Sequence, residues 1–246
     1  MLADAPDAWQ WEATAAHRTL VERDAGGARL VKESGPLARL RITARAAWAP
    51  AGRIEFGAAL AHARLDYDGR TQAGAPLATQ SRHNEAELGV RWRPTQAFAW
   101  GLPWVTFDGL RFRRAIAATA SAGSLTETST LWMPGVAWTS PSWPVTAGGA
   151  AVTVQAGWRT SVHHHIGVDY AGLFDPSSLV GGRRDEASLA ATLSTPAGWA
   201  LALEWRRVRQ AQSGSAVLRR GGIAAGTVLQ PRIGVDDVGL TLSRNF

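Results

Sequence analysis

The last nine residues of the chain, VGLTLSRNF (238–246), alternate between apolar side chains and polar or small ones, and they end on an aromatic residue. Val238, Leu240, Leu242 and Phe246 share one parity. Because successive side chains of a β-strand point to opposite faces, this pattern predicts a strand with one apolar face. Arg244 stands on the apolar parity, where a long side chain can bury its stem and keep its charge in water.

The same period of two runs through most of the chain. Apolar side chains recur at every second position, and Arg, Glu, Thr and Ser fill many of the positions between them. The clearest segments are 40–48, 86–93, 152–159, 188–194 and 199–206. In segment 97–116 the parity shifts, which predicts a bulge or a lengthened turn.

The connections between these segments alternate in length. Short turns with proline fall near 49–52, 94–96, 139–144 and 195–198, and long polar loops fall near 22–36, 66–82, 119–130, 160–187 and 207–236. Four short turns and five long loops join ten strands. Outer-membrane β-barrels typically have strands of about 9–11 residues, an even number of strands, and long loops on one side only.

Tryptophan is unusually frequent, with 12 Trp against 2 Tyr and 6 Phe. Membrane proteins place Trp at the lipid–water interface, so Trp beside the short turns predicts an aromatic girdle on the periplasmic side. A soluble sandwich or lipocalin-like barrel would show the same alternation, but it gives no reason for Trp to gather at one end of the strands. The Trp residues near a short turn or the N-terminus are Trp9, Trp11, Trp48, Trp92, Trp100, Trp104, Trp138, Trp143 and Trp199.

Composition also narrows the function. The chain has no cysteine, which excludes disulfides, zinc–thiolate sites and thiol catalysis. Its 26 basic residues exceed its 20 acidic ones, but the arginines are scattered, so we expect no nucleic-acid partner. The sequence contains no apolar run of about 18 residues, so it predicts no transmembrane helix.

These patterns together predict an all-β protein. We expect one domain, residues 1–246, that forms a transmembrane antiparallel up-and-down β-barrel of about ten strands. Its short turns would be periplasmic and its long loops extracellular. The predicted location is the outer membrane of a Gram-negative bacterium.

The charged parity should face the lumen if the apolar parity faces lipid. Eight strands enclose a space that side chains fill, whereas open porins need roughly sixteen. We therefore expect a lumen plugged by Arg–Glu ion pairs, with a small-solute channel as the alternative. The predicted network contains Arg39, Arg41, Arg45, Glu85, Glu87, Arg91 and Glu204, and Arg111 and Arg113 are also expected to face inward.

Two polar clusters are candidates for chemistry. Asp66 and Asp68 lie in the second long loop, and His163 and His165 follow the seventh strand. Carboxylates and a histidine that converge at a barrel mouth can activate water for peptide cleavage, so these four residues are candidate catalytic residues. Adjacent histidines on extended backbone point to opposite faces, and run 163–165 alone predicts no metal site. The alternative is a polar surface loop without chemistry.

Two arginines are candidates for lipid contact. Arg64 and Arg114 fall at the outer ends of strands, on the parity assigned to lipid. Since guanidinium binds phosphate in a bidentate way, we expect them to pair with lipopolysaccharide phosphates. The alternative is snorkelling to the interface.

The chain resembles the omptins, ten-stranded outer-membrane barrels that act as surface endopeptidases. The resemblance rests on strand count, loop order and local strings: LDYD (65–68) followed by SRH (81–83), Gly109 followed by Arg114, and GW (157–158) before a charged loop. It implies that Asp66 and Asp68 stand at the omptin carboxylate pair and Arg114 at a lipopolysaccharide-binding arginine. The omptin Asp-x-His dyad is not matched, since the corresponding loop reads HHH (163–165).

The functional prediction is a surface or partner-binding barrel in contact with outer-membrane lipid and lipopolysaccharide, without a catalytic assignment. An omptin-type endopeptidase and a small-solute channel are the alternatives. We expect no cofactor other than lipopolysaccharide as a bound lipid, and a protein partner at the extracellular loops. Phe246 resembles the C-terminal aromatic residue by which the barrel-assembly machinery recognises outer-membrane barrels.

Overall fold

The computed structural model describes residues 9–48, 52–70, 75–94, 98–120, 122–145 and 148–246. None of the described residues belongs to a helix that could cross a membrane. The strands are β1 (Trp9–Arg23), β2 (Arg29–Trp48), β3 (Gly52–Arg70), β4 (Pro76–Arg93), β5 (Leu102–Ile116), β6 (Leu125–Thr139), β7 (Trp143–Pro144), β8 (Ala151–Thr160), β9 (His163–Asp169), β10 (Ser177–Val180), β11 (Arg184–Ser194), β12 (Trp199–Gln210), β13 (Ala216–Arg220), β14 (Ile223–Val228) and β15 (Arg232–Asn245).

The main sheet closes into an antiparallel barrel. Consecutive strands pair from β1 to β6, β8 pairs with β6 and β11, β11 with β12, β12 with β15, and β15 with β1. The end of β6 nearer the extracellular side pairs with β9, so β8 and β9 together form the seventh barrel strand. The predicted ten-stranded antiparallel barrel is confirmed. β10 lies beside β9, and β13 and β14 form a separate hairpin.

The strands are longer than a lipid crossing requires. β2, β3 and β4 have 20, 19 and 18 residues, against about 9–11 for a tilted crossing. The predicted long loops 22–36 and 66–82 are mostly strand, and segments 160–187 and 207–236 contain β9, β10, β13 and β14. The predicted bounds of these loops were wrong, because polar residues end the apolar pattern but do not end the pairing of the strands. Lys32 still pairs with Asp68, and Asp66 still pairs with Gln80.

The outward face carries an apolar band. Leu60, Leu88 and Leu240 lie inside their strands yet are 66%, 69% and 54% exposed, as lipid contact requires. Exposed Trp side chains border the band at both ends, so the aromatic girdle is two-sided and not one-sided as predicted. Those at the short-turn end include Trp9, Trp92 and Trp199, and those at the other end are Trp132, Trp158 and Trp205.

The inward face is not uniformly charged. Towards the extracellular end it carries buried apolar clusters, one of which joins Leu110 to Leu131 and Met133. Within β5, alternation is unbroken from Val105 to Ile116, and it places Arg111 and Arg113 outward and exposed. The prediction that these two arginines face the lumen was wrong. Apolar side chains of β5 fill the lumen there, and the pairing of β5 with both neighbours shows no register shift.

Candidate functional site: the charged lumen

Inward charged side chains form three groups along the barrel axis, marked by three successive inward residues of β4: His83, Glu85 and Glu87. We call them the upper, middle and lower groups, counting from the extracellular end. The upper group is Glu22, Glu33, His83, Arg114 and Glu127; the middle group is Arg18, Glu85, Arg206 and Asp237; the lower group is Arg41, Glu87, Asp108, Arg159 and Glu186.

In the upper group one guanidinium contacts three carboxylates from three other strands. Arg114 Nε donates to Glu33 Oε1 at 2.8 Å, and Arg114 Nη1 donates to Glu127 Oε2 at 2.9 Å and also to Glu22. Arg114 is 2% exposed and Glu33 0%. Because buried charges require paired partners, the excess of carboxylates makes Arg114 the residue on which this group depends.

Glu33 is the best-satisfied carboxylate of the upper group. It also accepts hydrogen bonds from Ser81 Oγ at 2.6 Å and from His83 Nε2 at 2.7 Å. The outward residues beside this group, such as Lys32 and Arg82, are polar and lie beyond the apolar band. Burial raises the pKa of Glu33, but the charge of Arg114 and the bonds from His83 and Ser81 outweigh burial and lower the pKa to about 2.

Burial also shifts the pKa values of His83 and Glu22, in each case in the direction that disfavours the charged form. Burial lowers the pKa of His83, and its hydrogen bond to Glu33 opposes that shift only in part. A neutral imidazole donates from Nε2, which leaves Nδ1 without a partner among the described residues. Burial raises the pKa of Glu22, and Glu127 and Glu33 add to the rise against the opposing charge of Arg114.

The middle group links four strands through two basic and two acidic residues. Arg18 Nη1 lies 2.6 Å from Glu85 Oε1, and Arg18 Nε lies 2.8 Å from Asp237 Oδ1. Arg206 Nη2 lies 2.6 Å from the other oxygen of Asp237 and 3.3 Å from Glu85. Each carboxylate therefore contacts both guanidiniums of the group, an arrangement that fixes all four side chains across the lumen.

The lower group is centred on Arg159. Its Nη2 lies 2.7 Å from Glu87 and 2.7 Å from Glu186, and its Nη1 lies 3.0 Å from Asp108. Arg41 reaches the other oxygen of Glu87 at 2.5 Å. The Asp108 carboxylate lies over its β4 neighbour Gly89, where an added Cβ would lie 2.1 Å from Asp108 Oδ1 and would force the carboxylate to shift.

The residues predicted for the lumen network all lie on inward positions. Arg91 and Glu204 line an open cleft of about 180 Å³ in the lower lumen and pair with no described acidic or basic side chain. Arg45 pairs with Glu55 at 3.2 Å, below the lower group. The predicted residues that form ion pairs are Arg39, Arg41, Arg45, Glu85 and Glu87.

The carboxylates of the upper group were not predicted from the sequence. Glu22, Glu33 and Glu127 fall in segments read as loops, and their parity was not followed beyond the apolar pattern. Continuing the inward parity of β2 from Arg39 through Leu37 would have reached Glu33.

The candidate catalytic carboxylates lie outside the barrel. Asp66 and Asp68 face outward on β3, alternating with buried Leu65 and Tyr67. They line a shallow surface depression with Lys32, and Asp68 Oδ2 lies 3.4 Å from Arg29 Nη2.

The candidate catalytic histidines also face outward, on β9. His163 and His165 are exposed, and His164 points inward, where its Nδ1 donates to the carbonyl of Gly182 at 2.9 Å. Three strands separate β9 from β3, about 19 Å around a convex surface. The structure therefore does not bring the four candidate residues together. In the part of the chain that is described, no group of three His, Asp or Glu side chains is arranged to hold a metal ion.

The two candidate lipid-binding arginines lie on opposite faces. Arg114 is buried in the upper group, so its predicted lipid-facing position was wrong, because β5 keeps the parity that turns Arg114 inward with Leu110 and Phe112. Arg64 faces outward as predicted and lies directly opposite Arg82 on β4.

A closed antiparallel barrel of ten strands, apolar outside and charged within, defines the fold of an outer-membrane β-barrel. The chain is similar to the outer membrane protease OmpT from Escherichia coli, with a TM-score of 0.55 and 11% identity over 100% of this chain and 99% of that chain. It is also similar to the translocator domain of autotransporter NalP from Neisseria meningitidis, with a TM-score of 0.51 and 14% identity over 100% of this chain and 91% of that chain.

A third similar structure is the beta domain of the Bordetella autotransporter BrkA, with a TM-score of 0.51 and 10% identity over 97% of this chain and 100% of that chain. At these identities the likeness shows the fold alone. No protein-family model matches the chain, and no curated protein sequence matches it.

Proposed function

We propose that the chain is a closed, non-conducting barrel of the Gram-negative outer membrane, omptin-like in architecture, that acts through its extracellular surface and its lipid contacts. The observation that carries this proposal is the ion-pair network across the lumen. Its middle and lower groups are joined by Arg206 and Glu186, whose Nη1 and Oε2 lie 3.8 Å apart.

A path for solutes would require these buried pairs to separate. Removing one partner of a buried ion pair costs about 3–5 kcal/mol, and Arg18, Arg114 and Arg159 each have two or more carboxylate partners. The apolar cluster around Leu131 fills further space near the upper group. A resting barrel with this interior should not conduct.

Planar-bilayer recording tests the closed lumen. The refolded barrel should insert without a steady open conductance, and an open porin reconstituted in the same bilayer serves as the positive control. Stable conductance steps from the wild-type barrel would overturn the proposal in favour of a small-solute channel.

The lipid contact we propose is lipopolysaccharide phosphate at outward arginines of β3, β4 and β5. Arg64 and Arg82 lie directly opposite each other, where like charges destabilise a strand pair. Arg113 and Arg111 continue the cluster on β5, and none of the four forms an ion pair with a described carboxylate. A phosphate held between guanidiniums would relieve this repulsion.

Lipid binding can be measured on the refolded barrel with lipopolysaccharide and with the same lipid lacking its lipid A phosphates. Binding should require the phosphates and should weaken at least tenfold in the Arg64→Ala/Arg82→Ala double variant. Arg220→Ala is the matched control, since Arg220 is exposed on the β13–β14 hairpin. Equal binding by both lipids would contradict phosphate recognition.

The extracellular surface is where we propose that a protein partner binds. The hairpin of β13 and β14 exposes Val217 and Ile223, and the nearby end of β10 exposes Val180. Proteolysis is not proposed, because Asp66 and Asp68 do not meet His163 or His165. Cleavage of peptides with paired basic residues by the refolded barrel with lipopolysaccharide, lost on Asp68→Ala, would restore the endopeptidase alternative.

A further inference from the structure

The hairpin of β13 and β14 has one covered edge and one free edge. On the β13 side, the Arg219 carbonyl accepts a hydrogen bond from Asp175 N at 2.8 Å. Just before β13, Gly214 N donates to the Val180 carbonyl of β10 at 3.0 Å. The side of β14 that faces away from β13 pairs with no described strand. Such an unpaired edge is a template on which another strand can pair.

The register of the hairpin shows which backbone groups point to the free edge. The two glycines of the turn have φ values of 58° and 80°, as a two-residue hairpin turn of type I′ requires. Arg220 and Ile223 are therefore the first hydrogen-bonded pair of the ladder. The next pair is Arg219 and Ala224, whose N–H and C=O groups point away from each other. The bond that the Arg219 carbonyl accepts agrees with this register, so the N–H and C=O of Ala224 face the free edge.

The side chains of β14 do little to protect this edge. Proteins usually protect an edge strand with charged residues, proline or a bulge. The segment IAAGTV (223–228) contains no charge and no proline, and Ile223 is 75% exposed. A bulge at Ala225 interrupts the ladder, but the space beside Gly226 is open, since an added Cβ would meet no atom within 4 Å. The edge next to the turn is therefore accessible to another strand.

The hairpin is held in place at both of its ends. At the turn, the Asp175 carboxylate accepts hydrogen bonds from the N–H groups of both glycines, at 3.1 and 2.8 Å. At the base, Gln230 N donates to Ser213 Oγ at 2.7 Å, and Val228 packs against the buried apolar cluster of β9 and β10. A preformed edge loses little conformational freedom when a partner binds.

Two exposed guanidiniums lie beside the turn. Arg219 and Arg220 form no ion pair with a described carboxylate, and Arg219 Nη1 donates to the Gly222 carbonyl at 2.8 Å. The Asp175 carboxylate is already engaged by the N–H groups of the turn. A bound segment with acidic residues at this end would therefore meet unpaired positive charge.

We propose that β14 pairs with an extended segment of a partner protein, which adds to the hairpin as a third strand. The free backbone groups of Ala224 require a strand as their partner. The exposed apolar side chain of Ile223 favours β-branched residues in the segment, and Arg219 and Arg220 favour acidic residues at its end beside the turn. This inference rests on the proposed binding of a partner at the extracellular surface and adds how that partner is recognised.

Amide hydrogen exchange on the refolded full-length barrel tests whether the edge is free. The Ala224 N–H should exchange about tenfold or more faster than the Ile223 N–H, because only Ile223 donates within the hairpin ladder. Equal protection of the two amides would show that the edge is already covered and would overturn the proposal.

A random peptide library displayed on phage supplies the probe for the bound segment. Peptides selected on the wild-type barrel should be rich in β-branched residues, carry Asp or Glu at one end and slow the exchange of the Ala224 N–H. Binding should be lost in Ala224→Pro, which removes the edge donor at a position where an edge strand tolerates proline. Ala224→Ser is the matched control, because it keeps the N–H, and it should bind as the wild type does.

The outcomes separate the mode of recognition from partner binding itself. Peptides that bind Ala224→Pro as tightly as Ala224→Ser would overturn strand addition but would leave a partner site on the hairpin. A wild-type barrel that selects no peptide would remove that site as well. Self-association of the barrel that Ala224→Pro abolishes would overturn the proposal in favour of a second copy of this chain.

Discussion

Arg114 on β5 and Glu33 on β2 join across the lumen, with Nε and Oε1 2.8 Å apart, although two strands lie between them around the barrel wall. The same Glu33 accepts bonds from Ser81 and His83 of β4. One carboxylate thus ties three strands together at the extracellular end, where the barrel is no longer surrounded by lipid.

The carboxylates of the upper group should respond differently to neutralisation. Glu33→Gln should lower the free energy of unfolding by about 3 kcal/mol, because its charged form is the one that Arg114, His83 and Ser81 stabilise. Glu22→Gln should stay within about 1 kcal/mol of wild type at pH 7, because burial disfavours the charge of Glu22. Urea unfolding in lipid vesicles measures both. Equal losses would contradict the assignment of Glu33 as the preferred partner.

Acid should weaken the upper group in a defined window. The pKa of Glu33 is about 2 when folded and 4.5 ordinarily, so its contribution is present above pH 4.5 and is lost as the pH falls from 4.5 towards 2, by about 3 kcal/mol in total. His83 has a lowered pKa, so its contribution begins to fall below its ordinary 6.5. Unfolding midpoints from pH 7 to pH 3 should fall for wild type and change less for Glu33→Gln. Parallel curves would count against this account.

The lower group should contribute to stability through Arg159. Arg159 contacts Glu87, Asp108 and Glu186, so Arg159→Ala removes the central cation and leaves three carboxylates that repel one another. The variant should lose about 3–5 kcal/mol in the free energy of unfolding but remain closed in planar bilayers, because the middle group still spans the lumen. Arg209→Ala, an exposed position on the outward face of β12, is the control and should keep the stability of the wild type. Steady conductance of Arg159→Ala would show that the lower group alone seals the lumen.

Assembly should depend on Phe246, the aromatic residue that follows β15. Phe246 is 57% exposed, its backbone N donates to the carbonyl of Trp9 at 2.9 Å, and the Arg244 guanidinium lies 4.8 Å from its ring. Phe246→Ala should reduce the folded fraction in the outer membrane of cells several-fold yet refold normally in detergent. Phe56→Ala, which removes an equally exposed aromatic ring of β3, should not reduce assembly. The heat-dependent gel shift of the folded barrel measures both.

The strands could be predicted from the sequence where one face of each strand meets lipid. Leu40, Leu88 and Leu240 alternate with polar residues because the bilayer accepts only apolar side chains over that stretch. Beyond the apolar band this signal ends, and the sequence no longer distinguished a paired strand from a loop. The extended ends of β2 and β3 were missed for that reason.

Only part of the candidate site could be predicted from the sequence. Inward positions of Arg41, Glu85 and Glu87 follow from parity, but their partners lie on strands far apart in sequence. Glu33 and Arg114 are separated by 81 positions, so no local spacing could have paired them. Asp66 and His163 were predicted to share an extracellular mouth; alternation along β3 already pointed Asp66 outward, and the structure shows that no bulge or loop reverses it and that His163 points outward as well.

The sequence by itself determined the strand period, the strand number and the lipid-facing parity outside β5, because each depends on residues close together along the chain. Tertiary structure decided which charges meet in the lumen and which face of β5 carries Arg114. Barrel closure sets the distances between non-neighbouring strands, and it does so only after every strand has paired with both of its neighbours.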